Sequence, residues 1–362
     1  MDFKLLDSIF STLRLDPPSK LVLLEADSLR SIHVPPYPPD CPALILNLDS
    51  HELAFAVKTI LLANYPASFS IRVIHEKEIQ ETSVEKLDGL NQWNANTSLY
   101  VPSLGEGTSF EAFHEIVAHL RAPNGCPWDR EQTHESLRTN LLEEAYETLD
   151  TIDKRDFTAM HEEFGDLMLQ VLLHSQIAYE ESEFSITEVI KGICDKLVRR
   201  HPHVFGDVKV NSVNDVLQNW EKVKETERKT KGEKQKGFLD GIPAALPALG
   251  QAQEYQSRAA RVGFDWPEID GVLDKIKEEI QEVKEADGLD HITEEVGDLL
   301  FALVNLARWK KVDAESALRG TNLKFKRRFA HIETGARSQG KNLSDLSLDE
   351  MESLWQEAKK KE

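Results

Sequence analysis

One pattern occurs twice in this chain, and it limits the fold more than any other feature. Leu142-Glu143-Glu144-Ala145-Tyr146-Glu147 returns as Lys277-Glu278-Glu279-Ile280-Gln281-Glu282. Glu163-Phe164-Gly165-Asp166-Leu167-Met168 returns as Glu295-Val296-Gly297-Asp298-Leu299-Leu300. The offset that joins Asp166 to Asp298 also pairs Val171 with Leu303, Leu172 with Val304 and Ser175 with Ala307. Apolar residues at Phe164, Leu167, Met168, Val171 and Leu172 follow the helical period, and so do their partners. A duplicated helical unit of four-helix type is the economical reading.

The repeat also carries chemistry. Residues three or four apart share a helix face, so Glu279 points with Glu282, and Glu295 with Asp298. Two such helices packed antiparallel gather four carboxylates in one place. Like charges raise one another's pKa, and hard divalent cations relieve the repulsion. Magnesium suits such a site because it shares its shell with waters and substrate phosphates. A lone Glu-x-x-Glu is usually a solvated face. Here the two-helix pattern recurs, with Glu144, Glu147, Glu163 and Asp166 in the first copy, and an apolar stripe beside it places it near a buried edge. A ferritin-like di-iron site would need Glu-x-x-His, and neither copy's acidic motif supplies a histidine at that spacing. Downstream, Lys324 and Arg328 share a face, as do Lys196 and Arg200, and such cations suit the terminal phosphates of a metal-held nucleotide. Each copy then offers a tryptophan, Trp220 and Trp355, which could stack on a base or simply fill a core.

Outside the repeat the chain changes character. Residues 1–104 hold proline clusters at Pro17-Pro18 and from Pro35 to Pro42. Ala43–Leu48, Ser70–Ile74 and Ser98–Val101 read as strands, and His51–Asn64 as an amphipathic helix, giving a small α/β module. Helical units follow at 108–224 and 251–362. The charged stretch from Glu225 to Lys236 and the punctuation at Gly237, Gly241, Pro243 and Pro247 make 225–250 a linker. The expected fold is mainly α: two tandem all-α units preceded by the α/β module.

Charge narrows the partners. A net charge of -20 over 362 residues argues against a nucleic-acid binder, which needs a basic face. Three scattered cysteines, Cys41, Cys126 and Cys194, argue against disulfides and structural zinc and favour the cytoplasm. The opening residues lack the basic and apolar regions of a signal peptide, and no stretch has the roughly 20 apolar residues of a membrane span.

The segments Gly125-Cys126-Pro127-Trp128-Asp129, Arg199 to Asp207 (RRHPHVFGD) and Ala259 to Trp266 (AARVGFDW), taken with the repeated acids, resemble the MazG family of nucleoside triphosphate pyrophosphohydrolases. The resemblance runs from about residue 108 to the C-terminus. It implies all-α units that hydrolyse nucleoside triphosphates to the monophosphate and pyrophosphate. Magnesium is then the cofactor, with manganese as a substitute, base selectivity is loose, and a homodimer is expected. The family's metal ligands fall on Glu279, Glu282, Glu295 and Asp298, its phosphate contacts on Lys324 and Arg328, and its nucleotide-contacting tryptophan on Trp355. The matching first-copy set is Glu144, Glu147, Glu163, Asp166, Lys196, Arg200 and Trp220. In the two-repeat enzymes the chemistry lies chiefly in the C-terminal copy, where Glu278 or Glu279 would orient a water or take its proton. The alternative is a non-catalytic nucleotide-binding or dimerisation scaffold. Residues 1–104 resemble the C-terminal half of a tetrapyrrole methylase domain. No glycine precedes Gly89, so the S-adenosylmethionine loops are missing, and the module is expected to serve packing or association rather than methyl transfer.

Overall fold

The computed structural model describes residues 3–76, 78–230 and 237–361, so residues 231–236 of the expected linker lie outside the described residues. The chain forms two compact units, Met1–Thr148 with His161–Lys191, and Leu149–Met160 with Gly192–Glu362. Among the described residues no helix is long and apolar enough to cross a membrane.

The first unit opens with a five-stranded sheet covered on both faces. Helix α1 (Phe3–Leu13) precedes β1 (Val22–Glu25) and β2 (Ala43–Leu46); α2 (His51–Leu61) precedes β3 (Ser70–His75), β4 (Glu78–Ser83) and β5 (Thr97–Val101). The strand order is β1-β2-β5-β3-β4, with β1 and β2 parallel and the other pairs antiparallel. Side chains alternate across a strand. Ala43, Ile45, Ile71, Val73, Leu99 and Val101 therefore meet Leu53, Val57, Ile60 and Leu61 of α2. Leu44, Ile74 and Tyr100 meet Ile9, Phe10 and Leu13 of α1 on the other face. Each fully buried Leu or Ile contributes about 1.5–3 kcal/mol. Ser50 caps α2 by accepting a hydrogen bond from the Leu53 amide.

Three elements here were not expected. β1 is only four residues long, β4 (EIQETS) is a largely exposed edge with little apolar signal, and the amphipathic α1 lies before the first proline pair.

The rest of this unit is helical. Helix α3 (Phe110–Arg121) starts at Ser109, whose hydroxyl accepts from the Ala112 amide and donates to Asp40. Arg121 at its end explains the Gly-Cys-Pro-Trp-Asp segment. Its guanidinium donates to the carbonyls of Asp129 and Gln132 around the short helix α4 (Pro127–Glu131) and pairs with Glu180 at 2.7 Å. A side chain at Gly125 would stand 2.3 Å from two backbone oxygens, so the turn requires glycine. Helices α5 (Arg138–Lys154) and α6 (Phe157–Glu180) form the first repeat's hairpin. Its root lies in the first unit, where Leu172, Leu173 and Ile177 pack with Val117, Leu137 and Ile186, and its tip (149–160) lies in the second.

The second unit continues with α7 (Ile186–Arg200), which begins in the first, then α8 (Pro202–Phe205) and α9 (Val213–Thr230). Residues 225–230, expected as linker, extend α9, because Glu-Thr-Glu-Arg-Lys holds no helix breaker. Next come α10 (Ala248–Arg261), α11 (Ile269–Glu285), α12 (Leu289–Trp309), α13 (Ala314–Ser338) and α14 (Leu348–Lys360). Helices α11 and α12 form an antiparallel hairpin around Gly288, which takes a left-handed φ of 83°. Helix α10 is tied to the α12–α13 corner by Gln253, which donates to the Val312 carbonyl and accepts from the Ala314 amide. Helices α13 and α14 close on Ile332, Ala336, Leu346 and Leu354.

The apolar stripe beside the acids differs from expectation. Phe164, Met168 and Val171 are exposed, and so are Val296, Leu300 and Leu303 at the matching positions of the second copy. Only the outer neighbours, such as Leu172 and Val304, are buried.

Candidate functional site

The α11–α12 hairpin brings one carboxylate oxygen each from Glu279, Glu282 and Glu295 within 4.8 Å of one another. Glu279 is the innermost, 3% exposed, and its two oxygens differ. Oε1 accepts from Lys275 Nζ at 2.7 Å, one turn earlier, while Oε2 is buried with no hydrogen-bond partner. A buried carboxylate oxygen without a donor is costly, and a cation relieves it. Lys275 also reaches Glu278 at 2.7 Å, and its two carboxylate partners push the ammonium pKa up. His291 stands 3.1 Å from Glu295. Burial pushes the Glu282 carboxyl up, Glu279 and Glu295 add to the effect, and Lys275 opposes it. An all-oxygen donor set with one orphaned buried atom fits a hard divalent ion.

The first copy repeats the arrangement with a different balance. Oxygens of Glu144, Glu163 and Asp166 lie within 4.8 Å of one another. Burial raises the carboxyl pKa of Glu144 and of Glu163, and the surrounding carboxylates, Glu147 and Asp166 among them, raise both further. Glu147 in the first copy and Asp298 in the second stand outside the close three-oxygen sets. The position of Lys275 is held in the first copy by Asn140, so no ammonium enters from there.

Asp298 instead joins Glu279 and Lys275 in the wall of a cavity of about 750 Å³. The cavity runs between α10, α11 and α12 and is lined by Tyr255, Phe264, Trp266 and Phe301, with Gln256 and Asn305 as polar groups. Trp266 lies against Gly271, where a Cβ would come within 2.7 Å of the ring. At its far end Arg308 donates to Asp265 at 2.5 Å and to Asn305 Oδ1 at 2.7 Å, and Trp309 also donates to Asp265. Burial pushes Asp265 up, but these donors outweigh it and hold the carboxyl below its ordinary value.

The basic residues and their tryptophans form separate pairs. Arg328 lies over Trp355 at 5.4 Å, and Trp355 packs on Phe325. Lys324 is exposed on the same helix. None of Lys324, Arg328 and Trp355 lines the cavity beside Glu279. In the first copy Arg200 lies 5.8 Å from Trp220. There Glu227 accepts from Arg200 at 2.6 Å and from Arg199 at 2.7 Å, and Lys196 is exposed on the same helix. The Arg–Trp pairing thus recurs in both copies.

Lys275, Gln256, Tyr255 and Asn305 carried no sequence signal as site residues. A lysine three or four residues before a glutamate is a common surface pair, and a helical glutamine or asparagine shows nothing of what it faces.

Residues 132–205 and 268–332 match the MazG nucleotide pyrophosphohydrolase domain. The chain is 44% identical over 253 residues to a nucleoside triphosphate pyrophosphohydrolase/pyrophosphatase MazG of Thermotoga maritima, covering 70% of this chain and 96% of the relative. It is 45% identical over 253 residues to a nucleoside triphosphate pyrophosphohydrolase of Escherichia coli K12, covering 68% and 95%. An uncharacterized protein YabN of Bacillus subtilis is 41% identical over 375 residues, covering 99% of this chain and 74% of the relative.

Proposed function

The chain belongs to the MazG family, and from that premise we propose that it hydrolyses nucleoside triphosphates to the monophosphate and pyrophosphate, as a magnesium-dependent enzyme of broad base specificity that clears the cytoplasmic nucleotide pool. The observation that carries this reading is the acid cluster of Glu279, Glu282 and Glu295 beside a cavity of nucleoside size. Triphosphate chemistry needs cation-held phosphates next to a pocket for the rest of the molecule.

Glu279, Glu282, Glu295 and Asp298 would hold magnesium, or manganese in its place. The bound ion supplies charge neutralisation at the phosphate oxygens and makes a water more acidic. Glu278 or Glu279 would orient a water and take its proton as the water oxygen bonds to the α-phosphorus and the bond to the departing pyrophosphate, in line with it, breaks. Lys324 and Arg328 neutralise charge on the leaving group, and Trp355 covers the nucleotide. The exposed stripes on α6 and α12 support a homodimer, because matched apolar residues of this size seldom stay in water. The negative charge of the chain supports neither nucleic acid nor membrane as partner.

The second copy is proposed as the catalytic one and the first as structural or nucleotide-holding, in keeping with the lysine that enters only the second acid cluster from α11. The test compares Glu295→Gln with Glu163→Gln in a pyrophosphate-release assay with magnesium and mixed triphosphates. Glu295→Gln should cost at least about a hundredfold in kcat and Glu163→Gln less than about threefold. Equal losses would overturn the division of labour, and no release by the unaltered protein would overturn the hydrolase reading.

A further inference from the structure

Gln256 lies on α10 in the cavity wall and is 8% exposed. Its Nε2 donates to the carbonyl of Phe301 at 2.8 Å, which fixes the amide the other way round from a flipped one. Its Oε1 is buried and has no hydrogen-bond partner. A buried acceptor left without a donor is rare in a folded protein, and one in the wall of a ligand cavity is explained when the ligand brings the donor.

One turn beyond Phe301 on the same face of α12 stands Asn305, also in the cavity wall. Its Oδ1 accepts both Nε and an Nη of Arg308, at 2.9 and 2.7 Å. Arg308 is itself pinned by Asp265. That leaves Asn305 Nδ2 as the group able to donate. The cavity therefore presents a fixed acceptor and a fixed donor, between Trp266, Phe264 and Tyr255, whose rings suit a flat heterocycle.

We propose that Gln256 and Asn305 read the nucleobase through one adjacent donor–acceptor pair on its edge, with Gln256 Oε1 accepting a base N–H and Asn305 Nδ2 donating to the neighbouring nitrogen or oxygen. The proposal rests on the hydrolase reading and deepens it. Adenine offers its 6-amino group beside N1, and cytosine its 4-amino group beside N3. Guanine and hypoxanthine offer N1–H beside O6, and uracil N3–H beside O4. Adenine and cytosine satisfy the pair in one ring orientation, and guanine, hypoxanthine and uracil, whose ring N–H and exocyclic oxygen reverse the order of donor and acceptor, satisfy it with the ring turned over, which gives breadth without indifference. A base with no donor on that edge leaves Gln256 Oε1 buried and unpaired, and a site built around a hydrogen bond discriminates strongly against a ligand that lacks it.

The experiment measures kcat/KM for pyrophosphate release from ATP against purine riboside triphosphate, which lacks the 6-amino group, and from UTP against 3-methyl-UTP, which lacks N3–H. Each parent should exceed its donorless analogue by at least about tenfold in the unaltered protein. In Gln256→Leu the two ratios should fall to within about threefold, because parent and analogue then lose the same partner. Analogues turned over within about threefold of their parents by the unaltered protein would overturn base reading while leaving hydrolysis standing. Discrimination that survives in Gln256→Leu would overturn the role of Gln256. Release from none of the four would remove the hydrolase reading itself. The comparison between substrates in the unaltered protein needs no variant to fold.

Discussion

Two residues at matching places in the repeat show how one scaffold reaches two electrostatic states. Lys275 leans into the second acid cluster, while Asn140 leaves the first without an ammonium. The first copy spends its counter-charge elsewhere, on Glu227. Hydrogen bonds from Arg200 and then Arg199 outweigh burial and hold the Glu227 carboxyl down to about 2. A depressed carboxyl stabilises the fold fully above its unfolded pKa of about 4.5 and loses that contribution as pH falls toward about 2. Glu227→Gln should therefore cost about 1–2 kcal/mol at neutral pH, a melting-point loss of several degrees. Thermal melts at stepped pH should show the gap between variant and unaltered protein closing between about pH 4.5 and 2. A gap of constant size would mean that the carboxylate charge is not what binds these helices. The acids were legible in the sequence because Glu-x-x-Asp and Glu-Glu-x-x-Glu recur with helical spacing. Lys275 and Glu227 were not, because their partners are decided by helix packing.

At the scale of elements, the helices of the repeat were legible from their period, and so were the three apolar strands. The edge strand β4 was hidden by its polar composition, and the cavity by the fact that three helices share it. Its shape depends on one close approach, because Trp266 rests on Gly271. A methyl group at residue 271 would push the indole from its seat, since close-packed interiors absorb added volume by shifting neighbours. Gly271→Ala should raise KM for the triphosphate about three- to tenfold and change kcat by less than about twofold, measured by steady-state pyrophosphate release. A fall in kcat with KM unchanged would place Trp266 outside ligand binding.

Over the whole chain, the duplication in sequence does not map onto the two compact units. The tip of the first repeat's hairpin belongs with the second unit, where Asp153 pairs with Arg319 of α13 at 3.1 Å. The Arg319 side chain is largely shielded and that of Asp153 less so; Arg319 Nη2 donates to Ser316 and Nη1 is buried without a hydrogen-bond partner. Asp153→Ala should then cost about 0.5–1 kcal/mol and lower the melting transition of the second unit, which scanning calorimetry would register. An unchanged transition would mean that the pair is a surface contact of no consequence. A fragment cut between the duplicates would part Asp153 from Arg319, so the second duplicate on its own would lack an ion pair that the whole chain holds.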